Sequence, residues 1–376
     1  MVSNTKMKKV LIDVNSVVPY YVTGRLNGIG RTTMELVKAL DGLGDLPVEI
    51  ELYSQNMKGV GAKDLQTKFK EHHLYFPHRE KWDKVIACTP IREWMTGYDL
   101  MHIPHNFDFV YCPEKCVATV HDAMFFSHPE THIGFDFART HYTPFARRCK
   151  GVITCSHSSK REIVEYMGVE ADKVHVIHWG VDTKVMHQRP VSERKFSSGA
   201  PFFTSVSCDI GRKNTIAVLR AYDLFMKDNP EAAHHLVLVW RNPSEEALQV
   251  ASLPHLRDRV HFASGVTDEE LGQIYSDATA TFFPSRYEGF GLPVLESMVS
   301  GTPVVTCSNS SLSEVGGEAA IYVEPDDIEA MKIWMARFEC DPVQAELQKK
   351  VLQQASGFTW EHAAQKTLEV YLQCLS

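Results

Sequence analysis

Thr281-Phe282-Phe283-Pro284-Ser285-Arg286-Tyr287-Glu288-Gly289-Phe290-Gly291-Leu292-Pro293-Val294-Leu295-Glu296 passes from an apolar β-forming run, through a glycine-bearing turn, into a helix start. The run Thr281–Phe283 stops at Pro284, as a buried strand does. Pro293 suits the first position of a helix, where its missing N–H costs nothing, and Gly301 suits the helix end. The spacing predicts Glu288 on a strand-to-helix loop and Glu296 on the first helical turn. Gly289 and Gly291 let backbone approach a ligand closely, with the helix start aimed at it. A helix start attracts phosphate, and carboxylates attract hydroxyls. A nucleotide carrying a sugar satisfies both. The same residues also make an ordinary tight turn with an acid offsetting the helix dipole, so this pair alone leaves the function open.

Around this stretch the chain alternates short apolar runs with amphipathic helical stretches, the pattern of doubly wound α/β domains. Lys9–Val14 reads as a first strand. A long loop containing Gly24, Gly28 and Gly30 follows, then a helix from Thr32 to Leu40. Val48–Tyr53, Leu100–Ile103, Val117–Val120, Gly151–Cys155 and Val174–Ile177 are further strands, while residues 54–97 are poorly patterned. A second series runs through Phe202–Val206, Leu236–Trp240, Val260–Phe262, Ala278–Phe283, Pro303–Thr306 and Ile321–Val323. Thr267-Asp268-Glu269-Glu270 is a capping box. The polar stretch Asp182–Ala200 reads as a linker. The expected division is residues 1–190 as a first domain, 191–357 as a second, and 358–376 as a closing helix.

The 376 residues are 44% hydrophobic and 23% charged, an ordinary globular composition that suits two domains. No apolar run is long enough to span a bilayer, and Met1–Lys9 lacks an apolar signal core, so a cytoplasmic protein is expected. The nine cysteines are scattered, without Cys-x-x-Cys, as reduced thiols are. Residues 1–190 carry a net charge of +2 and the remainder −10, together −8. No basic cluster is dense enough for nucleic acid. The basic first half leaves peripheral association with the inner membrane surface open.

Three further patterns carry chemistry. Gly211-Arg212-Lys213-Asn214 places cations between a strand and a helix. His121-Asp122 ends the strand Val117–Val120 with a polar pair. Gly28-x-Gly30 begins a dinucleotide-like fingerprint, but Thr33 stands at the third glycine and the loop lies well beyond the first strand, which disfavours a nicotinamide site. No Asp-x-Asp occurs, and the histidine pairs lack a surrounding carboxylate or cysteine set, so no metal site is expected.

Glu288-x7-Glu296, with Gly301-Thr302-Pro303-Val304-Val305 and Ser311-Leu312-Ser313-Glu314-Val315, resembles the signature of the GT4 family of retaining glycosyltransferases. The resemblance covers nearly the whole chain. It implies a GT-B fold, two Rossmann-like domains facing across a cleft, and a sugar nucleotide as donor rather than a bound cofactor. Both UDP- and GDP-sugars remain open. The acceptor would be a carbohydrate or lipid-linked hydroxyl bound mainly by the first domain. By the same resemblance Lys213 and Arg212 hold the diphosphate, and Glu288 and His121 meet the donated sugar. Glu296 takes the ribose. Gly289, Phe290, Gly291, Leu292, Gly28, Gly30, Asp122 and Val266 complete the donor site. One departure stands out: some relatives carry an additional basic residue near the end of the preceding strand, around Ser207, and none occurs here. A GT-B sugar-nucleotide epimerase and a non-catalytic nucleotide-sugar-binding module are the rival readings.

Overall fold

Short apolar runs separated by helices cannot pair as hairpins, so they pair in parallel with helical crossovers. All thirteen strands of the described residues do so. The computed structural model describes residues 7–23, 28–59, 65–78, 80–128, 135–190, 195–207, 211–340 and 344–376. Gly24, residue 191 and the first six residues lie outside them. Two compact units result, one reaching Gly180 and resuming at Thr359, the other Val181–Phe358. The second unit thus starts at Val181, whereas the linker composition placed its first residue at 191.

In the first unit the strands are β1 (Lys9–Asp13), β2 (Glu49–Gln55), β3 (Lys70–Leu74), β4 (Leu100–Ile103), β5 (Cys116–Thr119), β6 (Gly151–Thr154) and β7 (Val174–Val176). They lie in the order β3-β2-β1-β4-β5-β6-β7. In the second they are β8 (Phe202–Val206), β9 (His235–Val239), β10 (Val260–Ala263), β11 (Ala280–Phe283), β12 (Val304–Thr306) and β13 (Ile321–Tyr322), ordered β10-β9-β8-β11-β12-β13. The order reverses between β1 and β4, and again between β8 and β11. Such reversals open a crevice beyond the carboxyl ends of the strands, where ligands of open α/β sheets bind.

β3 escaped the sequence reading because Lys70-Glu71-His72-His73 carries no apolar alternation. It is an edge strand held by polar contacts to β2. Glu51 is 1% exposed and receives Lys9 at 3.2 Å, Lys70 at 3.4 Å and His72 at 2.9 Å. The glycines expected in a loop are also placed differently. Gly28 and Gly30 form the first turn of the helix Gly28–Gly42, preceded by a short helix Val18–Thr23. Leu36, Val37 and Leu40 bury that helix's apolar face, while Met34 is only partly buried.

The closing helix Trp360–Leu375 belongs to the first unit. Thr359 caps it, its hydroxyl accepting from the His362 N–H at 3.1 Å. Gly180 permits the return, since a Cβ there would overlap the backbone of Thr359 and Trp360. Trp179 and Trp360 stack at 5.8 Å. Deeper in, the Tyr371 hydroxyl bonds His102 Nδ1 at 2.6 Å, and His102 Nε2 bonds Thr119 Oγ1 at 2.8 Å. All three are buried, and desolvation pushes the His102 pKa down to about 3.

Tyr371→Phe removes the hydroxyl and leaves a buried imidazole nitrogen without its partner. The expected loss is about 1–3 kcal/mol of unfolding free energy, measured by urea denaturation. An unchanged midpoint would show that this bond does not anchor the helix.

Candidate functional site

The loops that follow β8, β11 and β12 meet at the reversal point of the second sheet. After β8 the chain turns through Gly211–Lys213; after β11 it runs from Pro284 to Gly291. Glu288 is 8% exposed. A carboxylate so buried requires partners, and the neighbouring loops supply them. Arg212 Nη1 lies 2.6 Å from Glu288 Oε1, and the Ser285 hydroxyl donates to the same oxygen at 3.0 Å. Arg212 Nη1 also donates to the Tyr287 carbonyl at 2.6 Å, and the Arg286 N–H to the Arg212 carbonyl at 2.8 Å. From the loop after β12, Ser310 Oγ accepts from the Glu288 N–H at 3.0 Å. The Ser311 hydroxyl donates to the Glu288 carbonyl at 2.7 Å, and the Asn309 amide to the Arg286 carbonyl at 2.9 Å.

This network divides the basic residues. The charge of Arg212 is matched by Glu288. Arg286 forms a two-point pair with Asp326 at 2.6 and 2.5 Å. Lys213 differs: its ammonium lies 5.4 Å from the Phe283 ring centroid, and among the described residues no carboxylate is in ion-pair range of it. Asn214 closes the turn in the left-handed region (φ 55°), its amide donating to the Pro325 carbonyl at 2.6 Å.

The helix after the glycine turn is Leu292–Val299, with Gly291 as its N-cap at φ 101°. A side chain at Gly291 would be strained by that angle and would meet Leu312 at 2.9 Å. Pro293 is the second helical residue. Glu296 is therefore the fifth and opens the second turn, a correction to the expected first-turn position. The helix starts one residue early because Gly291, at its positive φ, caps it ahead of Leu292. Glu296 is 8% exposed and its Oε2 accepts from the Tyr275 hydroxyl at 3.3 Å. The Phe290 ring is 5% exposed and packs edge-to-face with Phe358 at 6.1 Å, so it serves the core. Val266, after β10, is half-buried against the cluster of Phe202, Val237, Ile274 and Ala278.

In the first unit His121 follows β5. Its N–H donates to Asn106 Oδ1 at 3.1 Å, and its ring Nε2 faces the Pro104 carbonyl at 3.4 Å. A carbonyl only accepts, so Nε2 carries the proton and Nδ1 is left as an acceptor. Burial, reinforced by nearby His105 and opposed by the Pro104 carbonyl, pushes the His121 pKa down to about 4. Asp122 accepts from the Met124 N–H at 3.1 Å, just ahead of the short helix Met124–Ser127. Among the described residues a Cβ at Gly28 would meet nothing within 4 Å, whereas Gly30 is buried.

The sequence reading missed the supports. Ser285 and Ser310 bind Glu288 directly, yet isolated serines after strands are too common to single out. Arg92 was equally hidden. It is 2% exposed, pairs with Asp108 at 2.7 Å, donates to the Phe109 carbonyl at 3.2 Å and lies 4.8 Å from the Tyr53 ring. It thereby anchors the loop whose Pro104 and Asn106 hold His121.

Comparison with known proteins fits this arrangement. Residues 26–185 match the family model described as Glycosyltransferase Family 4, and residues 205–338 the one described as Glycosyl transferases group 1. The chain is 25% identical to O-antigen chain mannosyltransferase B of Escherichia coli, over 92% of this chain and 96% of that protein. It is 30% identical to MMP alpha-(1->4)-mannosyltransferase of Mycolicibacterium hassiacum, over 60% of this chain and 54% of that protein. The crystal structure of Anabaena HepE in complex with UDP-glucose superposes with a TM-score of 0.70 at 18% identity, covering 97% of this chain and 99% of that one.

The burial of His121 has a pH consequence. Its folded pKa lies below the unfolded value of about 6.5, so between the two the unfolded chain takes up a proton that the folded chain does not. Stability is therefore expected to fall as pH drops from about 6.5 toward 4, with His102 acting in the same direction. In NMR titration the His121 ring signals should stay neutral through pH 6; a midpoint near 6.5 would contradict the enclosed environment.

Proposed function

Because the chain belongs to glycosyltransferase family 4, we propose that it moves a hexose from a UDP- or GDP-sugar onto a hydroxyl of a glycan or lipid-linked acceptor, with retention at the anomeric carbon. Such transfer would serve polysaccharide or glycoconjugate biosynthesis. The observation that carries this reading is the division of charge at the second sheet's reversal point. Two buried glutamates flank the glycine turn, one matched by Arg212, while among the described residues no carboxylate pairs with Lys213. The names of the two mannosyltransferase relatives support mannose as the first sugar to test.

In the proposed reaction the bond between the anomeric carbon and the β-phosphate oxygen breaks. The acceptor oxygen bonds that carbon on the same face, and its proton passes to the departing phosphate. Negative charge grows on the β-phosphate, where a fixed, unneutralised ammonium is most effective. Lys213 is assigned that role. Arg212 holds Glu288 in place and adds its own charge beside the diphosphate. Glu288 orients the sugar, and Glu296 accepts from the ribose hydroxyls. His121, neutral and with Nδ1 as an acceptor, is suited to a sugar hydroxyl. The proposal assigns the leaving-group charge to these side chains rather than to a bound divalent ion, in line with the lack of Asp-x-Asp.

Two outcomes test the glutamates. Glu296→Gln should weaken binding of the bare nucleoside diphosphate by about 1–3 kcal/mol, the range for charged hydrogen bonds. Glu288→Gln should not weaken it, since losing that carboxylate frees the Arg212 charge, but should depress sugar transfer. Calorimetry with the nucleoside diphosphate beside transfer assays separates the two. Equal losses of nucleotide affinity would refute the division.

Lys213→Ala should lower turnover by on the order of 10²-fold or more while nucleoside monophosphate binding survives. Transfer should persist in excess EDTA. Near-wild-type turnover in the variant would remove Lys213 from the mechanism. Loss of transfer on chelation, restored by Mn²⁺, would replace the lysine-only account.

A further inference from the structure

In the first unit a cavity of about 600 Å³ opens beyond the carboxyl ends of β1, β2 and β3. That volume lies within the range of sites for small organic ligands. No residue so far placed in the donor site lines it. Its floor is formed by Asn15 and Gln55, its wall by Trp82 and Met57, and its mouth by Lys58 and His78.

The floor is rigid. Asn15 Nδ2 donates to Asp13 at 2.9 Å, and Asn15 Oδ1 accepts from the Gln55 N–H at 2.7 Å. The Gln55 amide nitrogen donates to Asp83 at 2.8 Å and to the Pro77 carbonyl at 3.2 Å, and its oxygen accepts from the Tyr53 hydroxyl at 2.9 Å. Both amides are thus fixed in orientation. Asn15 keeps one amide hydrogen and one lone pair, whereas Gln55, with both hydrogens committed, keeps a lone pair on its oxygen, because an amide nitrogen has two hydrogens and an amide oxygen two lone pairs. His78 Nδ1 lies 3.3 Å from Asp83, whose hydrogen bond raises the imidazole pKa, the reverse of His121. The wall is apolar. Trp82 keeps 47% of its surface exposed, and Phe76 packs edge-to-face against it at 5.7 Å with an interplanar angle of 87°. Phe76 therefore holds the ring while much of it stays uncovered.

An exposed indole beside fixed amides, a lysine and an imidazole matches the chemistry of a pyranose. A pyranose presents an apolar C–H face to an aromatic ring and a rim of hydroxyls to planar polar groups. A purely apolar ligand would leave the floor amides without use. A free phosphate would have no use for the indole. We infer that this cavity is a saccharide subsite, taking a sugar ring of the acceptor glycan against Trp82 with its hydroxyls on Asn15, Gln55, Lys58 and His78. The inference rests on the transferase reading and names the acceptor class as carbohydrate at this position.

The test uses the full chain with α-1,3-mannobiose as probe, followed by saturation-transfer NMR. Wild type should give saturation transfer to the ring C–H protons of one mannose. Trp82→Ala should weaken the probe by about tenfold or more, and Trp82→Phe, which keeps an aromatic face, should restore it to within about threefold. Thermal unfolding of both variants checks that they fold. Nucleoside diphosphate affinity, measured on the same samples, should stay at the wild-type value. Unchanged mannobiose binding in a folded Trp82→Ala, or no saturation transfer in wild type, would overturn the subsite. If nucleoside diphosphates fail to bind wild type as well, the transferase reading itself falls. If they bind and only the mannobiose result is negative, that reading stands without this subsite.

Discussion

The pairing of Arg212 with Glu288 governs the geometry of the second unit's site. A carboxylate 8% exposed is costly unless matched, and breaking a buried pair by removing one partner typically costs about 3–5 kcal/mol. The two residues belong to loops separated by three strands in sequence, β9, β10 and β11. The ion pair, with the bonds from Arg212 to Tyr287 and from Arg286 to Arg212, makes those loops one body. The serines of the loop after β12 then hold the Glu288 backbone from the other side. The glycine turn, the N-cap at Gly291 and the start of the Leu292–Val299 helix inherit their positions from this lock.

The first unit repeats the device with different residues. At its own reversal point, between β1 and β4, Arg92 and Asp108 pair at 2.7 Å, both almost wholly buried. Asp13, at the end of β1, is buried nearby, and desolvation raises its pKa. The same ion pair fixes the loop that supplies Pro104 and Asn106 to His121. In each unit, an arginine thus pins a loop at the place where parallel topology leaves room for a ligand. The reason is common to both. A parallel sheet sends its strand ends out on one edge, and loops there have no ladder of their own to hold them.

Burial also sorts the titratable groups by role. His102 and His121 are kept neutral, one as an internal strut between Thr119 and Tyr371, the other with Nδ1 as an acceptor. His78 is pushed the other way by Asp83. Lys213 keeps a charge that no carboxylate among the described residues offsets, whereas Arg212 and Arg286 do not. Similar side chains thereby acquire different chemistry from their neighbours alone.

The α/β class, twelve of the thirteen strands to within two residues at either end and the capping box at Thr267 were legible in the chain, because apolar runs and cap residues act over a few neighbours. The Glu288-x7-Glu296 spacing was legible for the same reason. β3 was not, since an edge strand of Lys70, Glu71, His72 and His73 is held by contacts to β2 that no local pattern records. The helix start at Gly28 was hidden because its glycines read as a loop, and Glu296 shifted to a second turn when Gly291 capped the helix ahead of Leu292. Which basic residue is neutralised could not be read from Gly211-Arg212-Lys213 at all. That depends on a carboxylate more than seventy positions away, brought within 2.6 Å only when β8 and β11 pair side by side. Local periodicity is written in the sequence, while the pairing of distant charges exists only once the sheet has closed the distance between them.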